Sequence, residues 1–375
     1  MTLLLSAGRV VTPARIFAPG WVLVEGESIT DVGEGAPPRP ADVDLPDSTV
    51  VPGFVDIHVH GGGGASFDSG SAEEAAAVTQ AHLALGTTTM MASLVTASPD
   101  GLLRSVAELA PVAADGVIAG IHLEGPWLSP RRAGAHDPAL LSDPSPAQVE
   151  ALLEAGTGQV RMVTLAPELD GGLETIRQLT AAGVVVGIGH TEATYDEARA
   201  ALDAGATVGT HLFNAMRPLH HREPGPIAAL LEHPGVYVEL VADGVHVHPA
   251  ALRLAARAKP DLTVLVTDAM AAAAAADGDY TLGRLTVRVR DGVARLAEDG
   301  AIAGSTLTMG SAVRYAVQVA GLPLQDVVRA ATLSPATLLG LAGVGDLRPG
   351  YRADLVVLDA HLEVQRVLHR GQWLP

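Results

Sequence analysis

The chain has 375 residues, 48% hydrophobic and 18% charged, which is enough for a large barrel plus an accessory domain. Its formal net charge is −18, and Lys259 is the sole lysine, which argues against nucleic acid or an anionic membrane as a partner. Cysteine is absent, so disulfides, cysteine-ligated zinc, iron–sulfur clusters and a thiol nucleophile are excluded together.

In chain order, residues 1–50 read as short strands near 3–5, 9–12, 20–25 and 28–32, followed by a turn rich in proline at Pro37, Pro38 and Pro40. The three-leucine run before Arg9 is too short for a signal segment and no stretch approaches a membrane span, so a cytoplasmic protein is expected. The C-terminal end has the same character, with apolar strands near 350–359 and 364–369. Strands at both ends predict one small β-sandwich domain assembled from residues 1–50 and 345–375.

From Val51 the pattern changes to short apolar strands alternating with alanine- and leucine-rich helices. Strands are predicted near 53–58, 87–92, 117–123, 160–165, 184–189, 207–211, 236–241 and 262–267. Helices are predicted near 71–85, 99–110, 145–155, 172–182, 194–204, 225–232, 249–258 and 309–320. Eight such alternations predict an α/β fold, a (β/α)8 TIM-like barrel over residues 51–344. A doubly wound open sheet is the competing layout, but no phosphate-loop fingerprint accompanies it. Asp291-Gly292, between two alternating apolar runs, predicts a β-hairpin insertion near 278–300. It would sit on the catalytic face or against the small β domain.

In such a barrel, chemistry gathers at the C-terminal ends of the strands. Strand one ends in V-D-I-H-V-H, where alternation points His58 and His60 the same way. Alone, that pair fits a metal site or two solvated or hydrogen-bonded histidines. Strand three ends in His122 and Glu124, strand five in His190, strand six in His211 and strand eight in Asp268. Imidazole and carboxylate ligands from five strand ends suit a divalent metal, zinc or iron, with a position open for water. Asp268 fits either a last ligand or a general base, and the two roles are compatible.

The segments H-L-E-G-P-W (122–127), G-H-T (189–191), H-L-F-N-A-M (211–216), R-E-P-G (222–225), A-D-G-V-H (242–246), V-T-D-A (266–269) and A-G-S-T-L-T-M (303–309) occur in one order along nearly the whole chain. Together they resemble the N-acetylglucosamine-6-phosphate deacetylase family of the amidohydrolase superfamily. Members of the superfamily that bridge two metals with a carbamylated lysine on strand four are excluded, because Lys259 precedes strand eight.

The resemblance implies one or two divalent metals, zinc or iron, per subunit. It implies Glu124, His190 and His211 as the common ligands, with His58 and His60 matching members that hold a second metal. Asp268 would act as base and then as acid, and His136 would contact the substrate and polarise the acetamide. Asn214 and Ala215 would offer N–H groups to a phosphate, and His246 would bind the sugar or phosphate. Arg222 would reach the phosphate in a neighbouring subunit, which implies a homodimer. On composition alone, His220-His221-Arg222 is either that cation source or a solvated loop. Leu307 and Met309 either face the acetyl methyl or belong to the core. The run Ala271–Ala276 departs from the family pattern and offers no specific sugar contact. The expected activity is hydrolysis of N-acetylglucosamine 6-phosphate. The alternatives are another amidohydrolase, such as a nucleobase deaminase or an N-acyl-amino-acid deacylase, and a sugar-phosphate-binding barrel without catalysis.

Overall fold

The structure, a computed structural model, describes residues 2–375. Eight parallel strands form the barrel. Strand one is Phe54–Asp56, and strand two is Thr87–Met90 continued by Ala92–Leu94. Strands three to eight are Ile121–Glu124, Val160–Leu165, Val185–Ile188, Val208–Gly209, Tyr237–Val241 and Thr263–Val266. Strands two to eight pair in sequence order, and strand one pairs in parallel with the first half of strand two. The ring closes between strands eight and one, where Asp268 N donates to His58 O at 2.9 Å and His60 N donates to Ala269 O at 2.8 Å. These strands are buried on both faces, as their near-continuous apolar runs require.

The helices start where serine or threonine can cap them. Ser71, Ser98, Ser145, Thr194 and Thr308 each accept a bond from a backbone N–H in the first turn of helices Ala72–Leu83, Pro99–Ala114, Pro146–Gly156, Tyr195–Asp203 and Met309–Gln318. Two helices lie outside the sequence expectation, Leu324–Ala331 and Leu333–Leu338. Both pack against strand eight and bury Val327, Val328, Ala331 and Ala336 in the barrel core.

The chain ends build one eight-stranded sheet from strands within 2–52 and 355–373. Its edge turns back on itself, since Ser28 bridges Arg352 and Ile29 N donates to Tyr351 O at 2.8 Å. The enclosed core contains Leu3, Leu5, Val22, Val24 and Val50. Strand Leu355–Leu358 joins the two cores by simple alternation: Leu355 and Val357 face the sheet's own core, while Val356 and Leu358 face the barrel.

Beyond strand eight, Asp279–Leu282, Leu285–Arg290 and Val293–Leu296 form a three-stranded antiparallel sheet. Leu282, Val287, Val289 and Ala294 pack on Val95, Met270 and Ala272, at the C-terminal ends of strands two and eight. Between the two placements left open by the sequence, the structure has this sheet on the catalytic rim.

Candidate metal centre and catalytic cavity

Tight local turns aim the side chains at the rim. His190, His211 and Asp268 have φ of 47°, 28° and 51°, a left-handed conformation uncommon outside glycine. Each is where a buried strand ends and the backbone turns sharply, so the side chain points across the barrel mouth. Such conformations persist only where the surroundings enforce them, and they gather at functional sites.

Two sets of donors meet there. Glu124, His190 and His211 bring their ligand atoms within 4.8 Å of one another, as do His58, His60 and Asp268. Glu124 sits between them. Its Oε1 lies 3.2 Å from His190 Nε2 and 2.9 Å from His211 Nε2, and its Oε2 lies 3.2 Å from His60 Nε2. Asp268 Oδ1 is 3.3 Å from His60 Nε2 and 3.7 Å from His58 Nε2.

The hydrogen bonds behind these rings decide whether a cation fits. His60 Nδ1 lies 3.1 Å from Ser93 O, and His190 Nδ1 lies 2.8 Å from Arg132 O. A carbonyl only accepts, so both Nδ1 atoms carry protons, and in the neutral rings Nε2 presents a lone pair. His58 Nδ1 is likewise held 3.0 Å from the Glu239 carboxylate. Lone pairs then face one another at 3.1 Å between His58 and His60, and His190 faces His211 at the same separation. Carboxylate oxygens fill the remaining gaps. Such a cluster is repulsive without a positive charge at its centre, and nitrogen and oxygen donors in this number suit a zinc- or iron-like ion. His211 Nδ1 is buried without a partner.

The carboxylates draw positive charge to that centre: where a proton on Nε2 supplies it in place of an ion, bonds to Asp268 and Glu124 raise the pKa of His60 to about 9 against its burial. Burial also opposes ionisation of Glu124, but the charge on His58 and bonds from His136, His190 and His211 hold it well below the usual carboxylate range. Asp268 is held down similarly, against burial, by His60 and His58. The residues fit the ion that the sequence implies.

His136 differs from the ligands. Thr96 N–H donates to its Nδ1 at 3.3 Å, so the proton of the neutral ring is on Nε2. Burial lowers its pKa to about 4, keeping it a neutral donor 3.3 Å from Glu124 Oε2. His246 Nδ1 is bonded to Asp243 Oδ2 at 2.6 Å, and its Nε2 lies 3.8 Å from Asp268 Oδ2.

A cavity of 340 Å³ lies over the cluster and is lined by His60, Glu124, His136, His190, His211, Asn214, Ala215, His246 and Asp268. One candidate for this wall is elsewhere. Leu307 packs in the barrel core, and Val95, Leu282 and Ile302 supply the apolar wall instead. Arg222 is exposed on the loop after strand six, with its Nη1 2.7 Å from His221 Nε2, and does not line this cavity. Asn214 N already donates to His211 O at 3.0 Å, closing the turn. His122 points into the barrel, between the Ser93 and Thr164 hydroxyls at 2.9 Å each.

Sequence reasoning missed Glu239, which is fully buried and binds both His58 Nδ1 and His211 N, the latter at 3.1 Å. Its signal was a carboxylate inside the apolar strand Tyr237–Val241. It also missed Arg131 and Arg132, which bring cations to the cavity wall from the loop after strand three.

Residues 49–374 match the amidohydrolase family. The chain is 39% identical to an N-acetylgalactosamine-6-phosphate deacetylase of Escherichia coli O157:H7 over 99% of each chain. It is 40% identical over 86% of its length to an N-acetylglucosamine-6-phosphate deacetylase of Homo sapiens, covering 82% of that protein. A crystallised N-acetyl-D-glucosamine-6-phosphate deacetylase mutant of Mycobacterium smegmatis, in complex with N-acetyl-D-glucosamine-6-phosphate, superposes with a TM-score of 0.97 and 52% identity over 99% of both chains. Fold, donor set and sequence agree: the chain belongs to the amidohydrolase family, among the N-acetylhexosamine-6-phosphate deacetylases.

Proposed function

We propose that this chain hydrolyses N-acetylglucosamine 6-phosphate to glucosamine 6-phosphate and acetate. The observation that carries the reading is the meeting of Glu124, His190, His211, His136 and Asp268 at one cavity. The alternatives of a nucleobase deaminase, an N-acyl-amino-acid deacylase or an inactive barrel have no comparable support. The reading gives one ion to Glu124, His190 and His211 and allows a second at His58 and His60 beside Asp268. When bound, a divalent ion, zinc or iron, lowers the pKa of a water molecule and polarises the acetamide carbonyl.

The chain's own groups supply the rest. Asp268, kept anionic, takes the proton of the attacking water and returns it to the departing nitrogen. His136 Nε2–H donates to the carbonyl oxygen as negative charge develops on it, and burial keeps the ring neutral for that task. His246, oriented by Asp243, binds the sugar or its phosphate. Ala215 and Asn214 border the phosphate, and in a cytoplasmic homodimer Arg222 reaches the phosphate held by the neighbouring subunit. Residues 51–344 act as the catalytic unit, with 1–50 and 345–375 as the accessory domain.

The E. coli relative is named for the galacto epimer, which favours a second reading in which both epimers are substrates. Turnover on the two phosphorylated epimers and on unphosphorylated N-acetylglucosamine tests both. The phosphorylated gluco substrate is expected to have a kcat/KM at least ~100-fold above its unphosphorylated form, as a desolvated charge-assisted contact gives. Asp268→Asn should lower kcat by roughly 10²–10⁴-fold with bound metal per chain unchanged. Equal rates with and without phosphate would remove the phosphate from the reading, and normal turnover in Asp268→Asn would remove the proton shuttle.

A further inference from the structure

A second, larger cavity opens at the opposite end of the barrel from the metal cluster. Its volume is 580 Å³, and it lies between the starts of strands two to four and the turn Arg370-Gly371 of the terminal sheet. Nothing in the deacetylation mechanism uses it.

Its wall is rich in arginine, in a chain that is acidic overall. Arg161, Arg352 and Arg370 all line it. Arg161 leaves the start of strand four with its stem lying over Gly120, where a Cβ would come within 2.4 Å of Arg161 Cγ. One of its Nη atoms donates to Leu339 O at 2.6 Å, and the guanidinium has no carboxylate partner among the described residues. Arg370 is exposed, and its guanidinium pairs with no carboxylate among the described residues. Arg352 pairs with Asp354 and donates to Thr88 O at 3.2 Å. Three guanidiniums stand there against the carboxylates of Asp115 and Asp354, in a chain whose formal net charge is −18.

Arg161 and Arg370, neither with a carboxylate partner for its guanidinium among the described residues, bring forked donors to one cavity. Such donors are the chemistry that a tetrahedral oxyanion takes.

We propose that this cavity is a second ligand site, separate from the active site, that binds a phosphate monoester on a small polar carrier such as a hexosamine phosphate. The space exceeds that needed for a bare phosphate, and Gln80 and Gln159 on its wall offer partners for carrier hydroxyls. The ligand bridges the barrel strands and the terminal sheet, two units otherwise joined there through Arg352 and Asp354.

Calorimetric titration of the metal-loaded protein with glucosamine 6-phosphate, and separately with inorganic phosphate, tests the proposal. Two sites per chain are expected for glucosamine 6-phosphate. Arg370→Gln, at an exposed position, should weaken one of them about tenfold and leave kcat/KM for deacetylation unchanged. Arg161→Met should act on the same site. Binding of inorganic phosphate to that site would mean that the free ion is sufficient, and binding of the sugar phosphate alone would mean that the carrier is required. A single site per chain for both probes, or a second site unaffected by Arg370→Gln, would overturn the proposal. The inorganic phosphate arm does not depend on which sugar the active site takes, so failure here and failure of the substrate reading are distinguishable.

Discussion

Glu239 makes two bonds that no other residue of the metal centre duplicates: one fixes the ring of His58 and the other the backbone of His211. One carboxylate thereby holds a member of each donor set. Partners behind metal ligands typically contribute 10–100-fold to metal affinity, and leaving two buried donors unmatched costs roughly 1–3 kcal/mol for each. Glu239→Ala is therefore expected to weaken metal binding about 10–100-fold in a chelator competition, with Glu239→Gln in between because it keeps the shape and loses the charge. Unchanged metal affinity in Glu239→Ala would show that the rings are held by packing alone. The ligands themselves were legible because each stands at the end of an apolar run. Glu239 was not, since it stands inside the strand Tyr237–Val241 and not at its end, where ligands are sought, and on a strand buried on both sides nothing in the sequence says what an interior carboxylate meets. Leu307 stayed open between the acetyl methyl and the core because proximity in sequence to Ser305-Thr306 gives no direction to a side chain, and the structure has it in the core.

At the scale of elements, the joint between the terminal sheet and the barrel depends on Asp354, just before strand Leu355–Leu358. Its carboxylate pairs with Arg352, lies 3.1 Å from His369 Nδ1 and accepts from Arg370 N at 2.8 Å, and its carbonyl accepts from Gly53 N at 2.9 Å. Burial would raise its pKa, but His369 and Arg352 overcome burial and hold it below the ordinary value of 3.8. A carboxyl whose folded pKa is depressed adds stability above its unfolded pKa and loses it as pH falls through the folded one. The contribution is thus complete above pH 3.8 and fades below it. Asp354→Asn should lower stability by about 3 kcal/mol at neutral pH, as expected on breaking a largely buried pair, and narrow the gap to wild type in acid. Denaturant melts at pH 7 and at the acid limit check this, and a gap independent of pH would dismiss the ion pair. The helices predicted from 71, 99, 145, 194 and 309 begin within one residue of those positions, each behind a serine or threonine cap. Strand Val43–Pro52 was not, because V-D-L-P-D-S carries two aspartates and a proline and reads as a loop. It pairs with strand Thr2–Val11 only by breaking register between Ala7 and Arg9, opposite Pro46, which has no N–H for the ladder. Helix Leu333–Leu338 was hidden by Pro335, acceptable there because it lies in the first turn.

For the molecule as a whole, the cavity over the metal cluster lacks Arg222, the cation that the sequence assigned to the phosphate, while that arginine stands exposed on the outer loop. In a symmetric dimer one patch meets its own copy, so an exposed residue that does not line its own site can enter its partner's. Arg222→Ala is expected to raise KM for the phosphorylated substrate about tenfold, with metal content unchanged and little effect on the unphosphorylated sugar. That result alone would not separate action within a subunit from action across the dimer, but mixing does. If Arg222→Ala and Asp268→Asn subunits exchange freely at equal amounts, half of the dimers are mixed. Each mixed dimer then has one complete site, formed by the intact Asp268 of one subunit and the intact Arg222 of the other. Activity at low substrate should therefore recover to about a quarter of wild type from two weak parents. If Arg222 served its own subunit, every mixed dimer would pair one site lacking the arginine with one lacking the acid, and mixing would restore nothing. Gel filtration of the same samples would establish that dimers had formed and exchanged, so a flat result would count against action across the dimer and would leave Arg131 and Arg132 as the cations nearest the phosphate.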